Sequence, residues 1–173
     1  MDASTTTHDI HGPNDAELNR LAREVAAAVQ LSRMMAVTAE SCTGGWIAKV
    51  LTDLPGSSAW FDAGVVTYSY EAKQALLGVN PRTLERTGAV SEETALEMVS
   101  GALSRFGAGI AVAVTGIAGP SGGTVDKPVG LVWFGLAQLG APVHSERVIF
   151  PGDRTAIREA TVAHALGLLR ART

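Results

Sequence analysis

The chain has 173 residues, with 14 Lys plus Arg against 17 Asp plus Glu and a formal net charge of −3. This length suits one ordinary domain, and the slightly acidic balance argues against a nucleic-acid partner, which would need a basic face. One cysteine cannot form an internal disulfide, no Cys/His spacing resembles a zinc site, and the longest uncharged stretches are broken too often to span a membrane. We therefore expect a cytoplasmic protein that binds neither nucleic acid nor membranes and needs no metal ion or cofactor.

The apolar spacing predicts alternating helices and strands along the first half of the chain. Residues 1–13 are expected to form a flexible tail, and a helix then begins at Asn14 or Asp15. The buried face of this helix carries Leu18, Leu21, Ala22, Val25 and Val29. There follow a strand over 34–39, a helix over 43–53, a strand over 63–68 and two short helices, one capped by Ser69 and one opened by Asn80-Pro81.

The second half begins with a longer helix and ends with another. Ser91, followed by two glutamates, predicts a helix start because acids suit the positive end of the helix dipole. The expected buried face of that helix is Leu96, Val99, Leu103 and Phe106. A strand over 110–115, a loop over 116–128, a hairpin of strands over 129–138 and 143–150, and a helix capped by Asp153 complete the chain. This order predicts one α/β domain over residues 14–173, with three α/β/α layers and a mixed sheet.

The segment AESCTGG, residues 39–45, follows a predicted strand and opens a predicted helix. Ligands collect at the carboxyl ends of strands in such sheets, and free N–H groups at a helix start can hold an oxyanion. Ser41 could present its hydroxyl there, or Ser41 or Thr43 could simply cap the helix. Cys42 is a rival nucleophile because a helix N-terminus lowers a thiol pKa, although a small buried filler is the plainer interpretation.

Three further segments could carry chemistry. Lys73 follows Tyr68 by about one helical turn, and a lysine partly desolvated beside a serine can act as its base; most lysines are simply solvated. The glycine-rich loop over 115–123 allows close approach of a ligand, or is a plain connection. Arg154 near a helix start could bind phosphate, or form a surface ion pair.

Taken together, these segments resemble one family, the C-terminal CinA domain, also known as nicotinamide-nucleotide amidase. The resemblance runs from about Leu18 to the last helix and is carried by AESCTGGWIAKVLTDLPGSSAWFDAGVVTYS, EAK, GAVS, VTGIAGPSGG, KPVGLVWF and PGDR. It implies hydrolysis of the carboxamide of nicotinamide mononucleotide to nicotinic acid mononucleotide and ammonia, in pyridine nucleotide salvage. Larger members carry an additional N-terminal domain, for which this chain is too short, so it resembles the stand-alone form.

The resemblance also implies roles for individual residues. Ser41 would be the nucleophile and Lys73 its base, with Tyr68 orienting Lys73 or relaying the proton. The resemblance further implies functional positions at Ser58, Thr115 and Arg154, and the backbone N–H groups of Thr43 and Gly44 are expected to donate to the oxyanion. The phosphate is expected to lie against either the loop over 115–123, which includes Gly116 and Gly119, or Arg154.

Two positions near these residues leave a question open. Glu40 either faces the cationic pyridinium of the substrate or is structural. Tyr70 departs from the asparagine expected in the family's usual YSNEAK, so it could alter the pocket or the rate.

Two other functions stay open at this point. A non-catalytic mononucleotide-binding domain could use the same loops to hold ligand without turnover, and a thiol hydrolase could use Cys42 as nucleophile. The low charge and apolar strands permit a homo-oligomer without indicating one.

Overall fold

Five strands and six helices make up the computed structural model, which describes residues 13–173. The strands are β1 (Ala36–Glu40), β2 (Phe61–Val66), β3 (Ile110–Gly116), β4 (Leu131–Gln138) and β5 (His144–Ile149). The helices are α1 (Pro13–Leu31), α2 (Trp46–Thr52), α3 (Tyr70–Leu77), α4 (Pro81–Thr87), α5 (Glu92–Phe106) and α6 (Arg154–Arg172), with a 3₁₀ turn at Ser57–Ala59. Residues 1–12 of the expected tail lie outside the described residues.

The strands form one mixed sheet in the order β2-β1-β3-β4-β5. Strand β1 pairs in parallel with both β2 and β3, and the predicted hairpin then adds β4 and β5 in antiparallel fashion. The carboxyl ends of β1, β2 and β3 therefore meet at one edge of the sheet, which is where side chains for a site can converge.

Helices cover both faces of the sheet and give the predicted three layers. The face with α1, α2 and α6 holds one apolar cluster, which includes the five side chains predicted for α1. The face with α3, α4 and α5 holds the other. The predicted caps Ser69, Asn80, Ser91 and Asp153 each accept a hydrogen bond from the first turn of their helix.

The predicted buried face of α5 is wrong in part. Val99 is buried, but Leu96 and Leu103 are only half-buried, and Phe106 is 39% exposed. The helix turns smaller residues toward the sheet, Thr94, Ala95, Met98, Val99 and Ala102. Small side chains let the backbones approach closely: a Cβ on Gly135 of β4 would lie 2.5 Å from the carbonyl oxygen of Ala95.

The predicted start of α2 is also wrong. The helix begins at Trp46 rather than at residue 43, and its N-cap is Gly45, which makes no side-chain cap. Gly44 and Gly45 both have positive φ, 64° and 94°, so the chain makes a turn between β1 and the helix. This turn carries Ser41.

Candidate active site

The turn after β1 is held from inside the protein by Glu40. This side chain is fully buried, and its carboxylate accepts hydrogen bonds from the hydroxyls of Thr38 and Thr43 at 3.2 and 2.7 Å. It also accepts from three backbone N–H groups at the start of α2, those of Gly45, Ile47 and Ala48, at 2.8–3.1 Å. With five donors in place, Glu40 is structural and caps α2 from the preceding strand. The alternative, that it faces a pyridinium, is wrong.

Arg158 of α6 holds the same turn from the other side. Its Nε donates to the carbonyl of Cys42 at 3.0 Å, and its Nη2 donates to the carbonyl of Thr43 at 2.9 Å. The guanidinium also lies over the Trp46 ring, 5.3 Å from the ring centroid. No sequence motif pointed to Arg158, because its partners are backbone carbonyls more than a hundred residues away.

Ser41 and Lys73 meet at the carboxyl edge of the sheet. The Nζ of Lys73 lies 2.9 Å from the Oγ of Ser41 and donates to the carbonyl of Thr67 at 2.6 Å. Ser41 is 9% exposed and Lys73 is fully buried. The two residues come from different layers, since Ser41 precedes α2 and Lys73 belongs to α3.

Burial decides the ionisation of both candidate reactive groups. Desolvation lowers the pKa of Lys73 to about 8, so a useful fraction of the amine is neutral near neutral pH. Burial raises the pKa of the Cys42 thiol to about 11, so the thiolate needed for attack is scarce. The raised thiol pKa favours Ser41 over Cys42 as the nucleophile.

A cleft of about 270 Å³ opens beside Ser41. Six of the expected site residues line it: Ser41, Tyr68, Thr115, Gly116, Gly119 and Arg154. Lys73 stands behind Ser41, outside this lining. The structure therefore brings together seven of the ten residues named from the sequence.

Among the described residues, no hydrogen bond joins Tyr68 to Lys73. Its hydroxyl accepts a hydrogen bond from Nη2 of Arg154 at 3.2 Å, and the residue is 63% exposed. Arg154 also donates from Nη1 to the carbonyl of Gly119 at 2.9 Å, which ties α6 to the glycine-rich loop. The hydrogen bond by which Tyr68 would orient Lys73 is not formed, and the carbonyl of Thr67 accepts from the amine instead.

Thr115 and Tyr70 both form hydrogen bonds with Ala89, which lines the cleft. The Thr115 hydroxyl donates to the Ala89 carbonyl at 2.7 Å, and the Ala89 N–H donates to the Tyr70 hydroxyl at 3.3 Å. Both polar groups of Ala89 are thus held by side chains. Tyr70 therefore contacts the pocket wall and not the Ser41–Lys73 pair.

Three expected substrate contacts do not reach the cleft. Thr43 is fully buried with its hydroxyl on Glu40, and the Gly44 N–H donates to the Ser41 carbonyl at 3.1 Å, so it is not free for an oxyanion. Ser58 lies in the 3₁₀ turn before β2, at the amino end of strands whose carboxyl ends carry the site. A five-residue strand separates these ends by about 16 Å.

Residues 13–173 contain no group of three His, Cys, Asp or Glu side chains placed to hold a metal ion. They also contain no helix long and apolar enough to cross a membrane.

A serine hydroxyl beside a buried lysine amine, at the mouth of a small cleft in an α/β sheet, is an arrangement that can supply the nucleophile and the base of a hydrolase. The chain belongs to the CinA family: the model for the CinA C-terminal domain matches residues 18–173.

Relatives and solved structures agree with this membership. The chain is 50% identical over 155 residues to the nicotinamide-nucleotide amidohydrolase PncC of Escherichia coli K12, covering 90% of this chain and 94% of that protein. It is 52% identical over 145 residues to the protein of the same name from Enterobacter agglomerans, covering 84% and 88%. The crystal structure of the competence/damage inducible protein CihA from Agrobacterium tumefaciens matches with a TM-score of 0.86 at 48% identity, covering 90% and 94%.

Proposed function

We propose that this protein hydrolyses the carboxamide of nicotinamide mononucleotide to nicotinic acid mononucleotide and ammonia, a step of pyridine nucleotide salvage. The observation that carries the proposal is the 2.9 Å contact between the Ser41 hydroxyl and the buried Lys73 amine at the cleft. The curated relatives that are half identical to this chain are named for this activity. The catalytic domain is taken as residues 14–173, and no metal ion or cofactor takes part.

The first half of the reaction forms an acyl-enzyme. Neutral Lys73 takes the proton of the Ser41 hydroxyl while Oγ attacks the carboxamide carbon, and the carbonyl π electrons move to the oxygen. When the tetrahedral intermediate collapses, the C–N bond breaks and Lys73 returns the proton to the nitrogen, which leaves as ammonia. Thr67 keeps the amine directed at Ser41 throughout, because its carbonyl accepts one of the other amine hydrogens.

The second half releases the acid. Water attacks the ester carbon while Lys73 takes its proton, and the bond from the carbon to Oγ then breaks. Lys73 returns that proton to Ser41, so the enzyme regains its starting form and nicotinic acid mononucleotide leaves the cleft.

The cleft offers one cation and one aromatic ring for binding the nucleotide. Arg154 is the charged side chain among the residues that line it, and a guanidinium is well suited to a phosphate. The exposed ring of Tyr68 provides a π face for the positively charged pyridinium. Arg154 therefore binds the phosphate, and Tyr68 acts in binding rather than in proton transfer.

The test is ammonia release from nicotinamide mononucleotide, with the product identified by mass, for the wild type and the Ser41→Ala variant. Release by the wild type and loss of at least about a hundredfold in the variant are expected, in line with the removal of a nucleophile. Full turnover by Ser41→Ala would disprove the role of Ser41.

The same experiment separates this function from the non-catalytic alternative. A wild-type protein whose melting temperature rises with nicotinamide mononucleotide, but which releases no ammonia, would be a mononucleotide-binding domain.

A further inference from the structure

Three consecutive peptide groups around the nucleophile are held in a linked arrangement that starts at Arg158. The Nη2 of Arg158 donates to the carbonyl of Thr43, which fixes the plane of the peptide between Thr43 and Gly44. The N–H of that same peptide, on Gly44, donates to the carbonyl of Ser41 at 3.1 Å. That contact in turn fixes the peptide between Ser41 and Cys42.

The orientation of the Cys42 N–H follows from this linkage. In a trans peptide the C=O and the N–H point to opposite sides, so the Cys42 N–H points away from the Ser41 carbonyl. No oxygen of the described residues accepts a hydrogen bond from it, and its interaction within the protein is with the sulfur of Cys42 itself, a weak acceptor. Cys42 lines the cleft next to Ser41, whereas Arg158 does not line it. The middle peptide, between Cys42 and Thr43, is held directly by Nε of Arg158 at 3.0 Å.

We infer that Arg158 is a positioning residue that holds the Cys42 N–H as a donor to the oxyanion formed when Ser41 attacks the carboxamide. This inference rests on the proposed amidase function. The donor beside the nucleophile is then the N–H of Cys42 and not that of Gly44, because the Gly44 N–H already donates to the Ser41 carbonyl.

A donor of this kind acts mainly on the transition state. Negative charge on the substrate oxygen develops only after attack, so a misplaced donor lowers kcat and leaves ground-state binding almost unchanged. Loss of a single oxyanion donor costs roughly 10²–10³ in kcat in known cases. Because Arg158 acts through peptide planes, its loss is expected to lower kcat by about 10–100-fold, with KM within about threefold.

The experiment compares Arg158→Met and Arg158→Lys with a control on the same helix, Arg170→Met. The Arg170→Met substitution also removes a polar contact, the one with Glu24. Arg170 lies twelve residues further along α6, about 18 Å from Arg158. Lysine keeps the charge but cannot direct two donors at two carbonyls. Both Arg158 variants are expected to lose kcat, while Arg170→Met keeps wild-type kcat.

A second readout separates positioning from a general structural effect. The mononucleotide of 3-formylpyridine can accept the Ser41 oxygen at its aldehyde carbon while Lys73 takes the hydroxyl proton, which leaves an anionic hemiacetal oxygen at the donor. Its affinity is expected to fall about tenfold or more in Arg158→Met, whereas the affinity for nicotinic acid mononucleotide stays within about threefold.

The inference is overturned if Arg158→Lys or a folded Arg158→Met keeps kcat within about threefold of the wild type, or if both ligands lose affinity equally. If Arg158→Met does not fold, the kcat of Arg158→Lys alone decides whether the inference holds. None of these results touches the proposed function, which depends on the difference between the wild type and Ser41→Ala.

Discussion

Lys73 is an amine removed from water and placed between two oxygens. Its protonated form loses hydration on burial and gains no carboxylate partner, since the recorded neighbours of Nζ are the Ser41 hydroxyl and the Thr67 carbonyl. The fold therefore favours the neutral form, which is the form that can accept a proton. The cost of burying the charged form is the reason why the amine is deprotonated, and so able to accept a proton, at an unusually low pH.

The pH dependence of the rate follows from the lowered pKa of Lys73, about 8. Below that pH, kcat of the wild type is expected to rise about tenfold per pH unit, and above it to level off, because only the neutral amine accepts the proton. In Lys73→Met the rate falls by about 10²–10⁴-fold and this rise disappears. A pH–rate profile of both proteins measures the effect, and an unchanged profile in the variant would remove Lys73 as the base.

The same residue makes the free energy of unfolding depend on pH. The pKa is lowered from 10.5 in the unfolded chain to about 8 in the folded one, so the unfolded chain binds more protons between these values. The wild type therefore gains free energy of unfolding relative to Lys73→Met as pH rises from 8 to 10.5. Urea unfolding at pH 7.5 and pH 10 supplies this check on the same pair of proteins.

At the scale of elements, local signals were sufficient for most helix boundaries. Ser69, Asn80, Ser91 and Asp153 cap helices that lie beside them in sequence, and a cap is read from its immediate neighbours. The predicted start of α2 is wrong because the carboxylate that accepts from its first N–H groups belongs to Glu40, which lies within the preceding strand. The sequence alone could not show that one carboxylate would collect five donors.

The close packing of α5 gives a prediction with an internal control. A Cβ on Gly101 of α5 would lie 1.9 Å from the carbonyl oxygen of Leu77 at the end of α3, whereas a Cβ on Gly167 of α6 would meet nothing within 4 Å. Gly101→Ala is expected to lower the free energy of unfolding by about 1–3 kcal/mol through overpacking. Gly167→Ala is expected to raise it by up to about 1 kcal/mol, because alanine favours a helix.

Urea unfolding compares these two variants, and ammonia release adds a second measure. Because α3 carries Lys73, Gly101→Ala is also expected to lower kcat, while Gly167→Ala keeps it. Equal stability of the two variants would contradict the close approach of α5 to α3.

On the scale of the whole molecule, the Ser41–Lys73 pair joins the two helical layers. The serine precedes α2 on one face of the sheet, and the lysine belongs to α3 on the other. The order of strands and helices predicted the three layers. The expectation that Ser41 and Lys73 act as a pair came from the resemblance to the family, because local spacing alone fits a helix cap and a solvated lysine equally well. Arg158 could not be predicted, since its contact with Thr43 spans 115 residues.

Activity is expected to be lost before the fold is lost. Helix α3 has only eight residues and packs against α4 and α5 on one face, so it can open locally while the rest of the core persists. In a urea titration, ammonia release should fall at a lower concentration than the far-UV circular dichroism signal. Coincident transitions would show that α3 opens only with the whole molecule.

The complete burial of Lys73 also changes how the protein meets acylating reagents. A lysine with a pKa of about 8 is about half neutral at pH 8 and would ordinarily be acetylated faster than a solvated lysine, which is almost entirely protonated at that pH. Lys73 has no exposed surface, whereas the side chain of Lys49 is 62% exposed. Amine-directed labels are therefore expected to modify Lys49 before Lys73, although Lys73 has the larger neutral fraction.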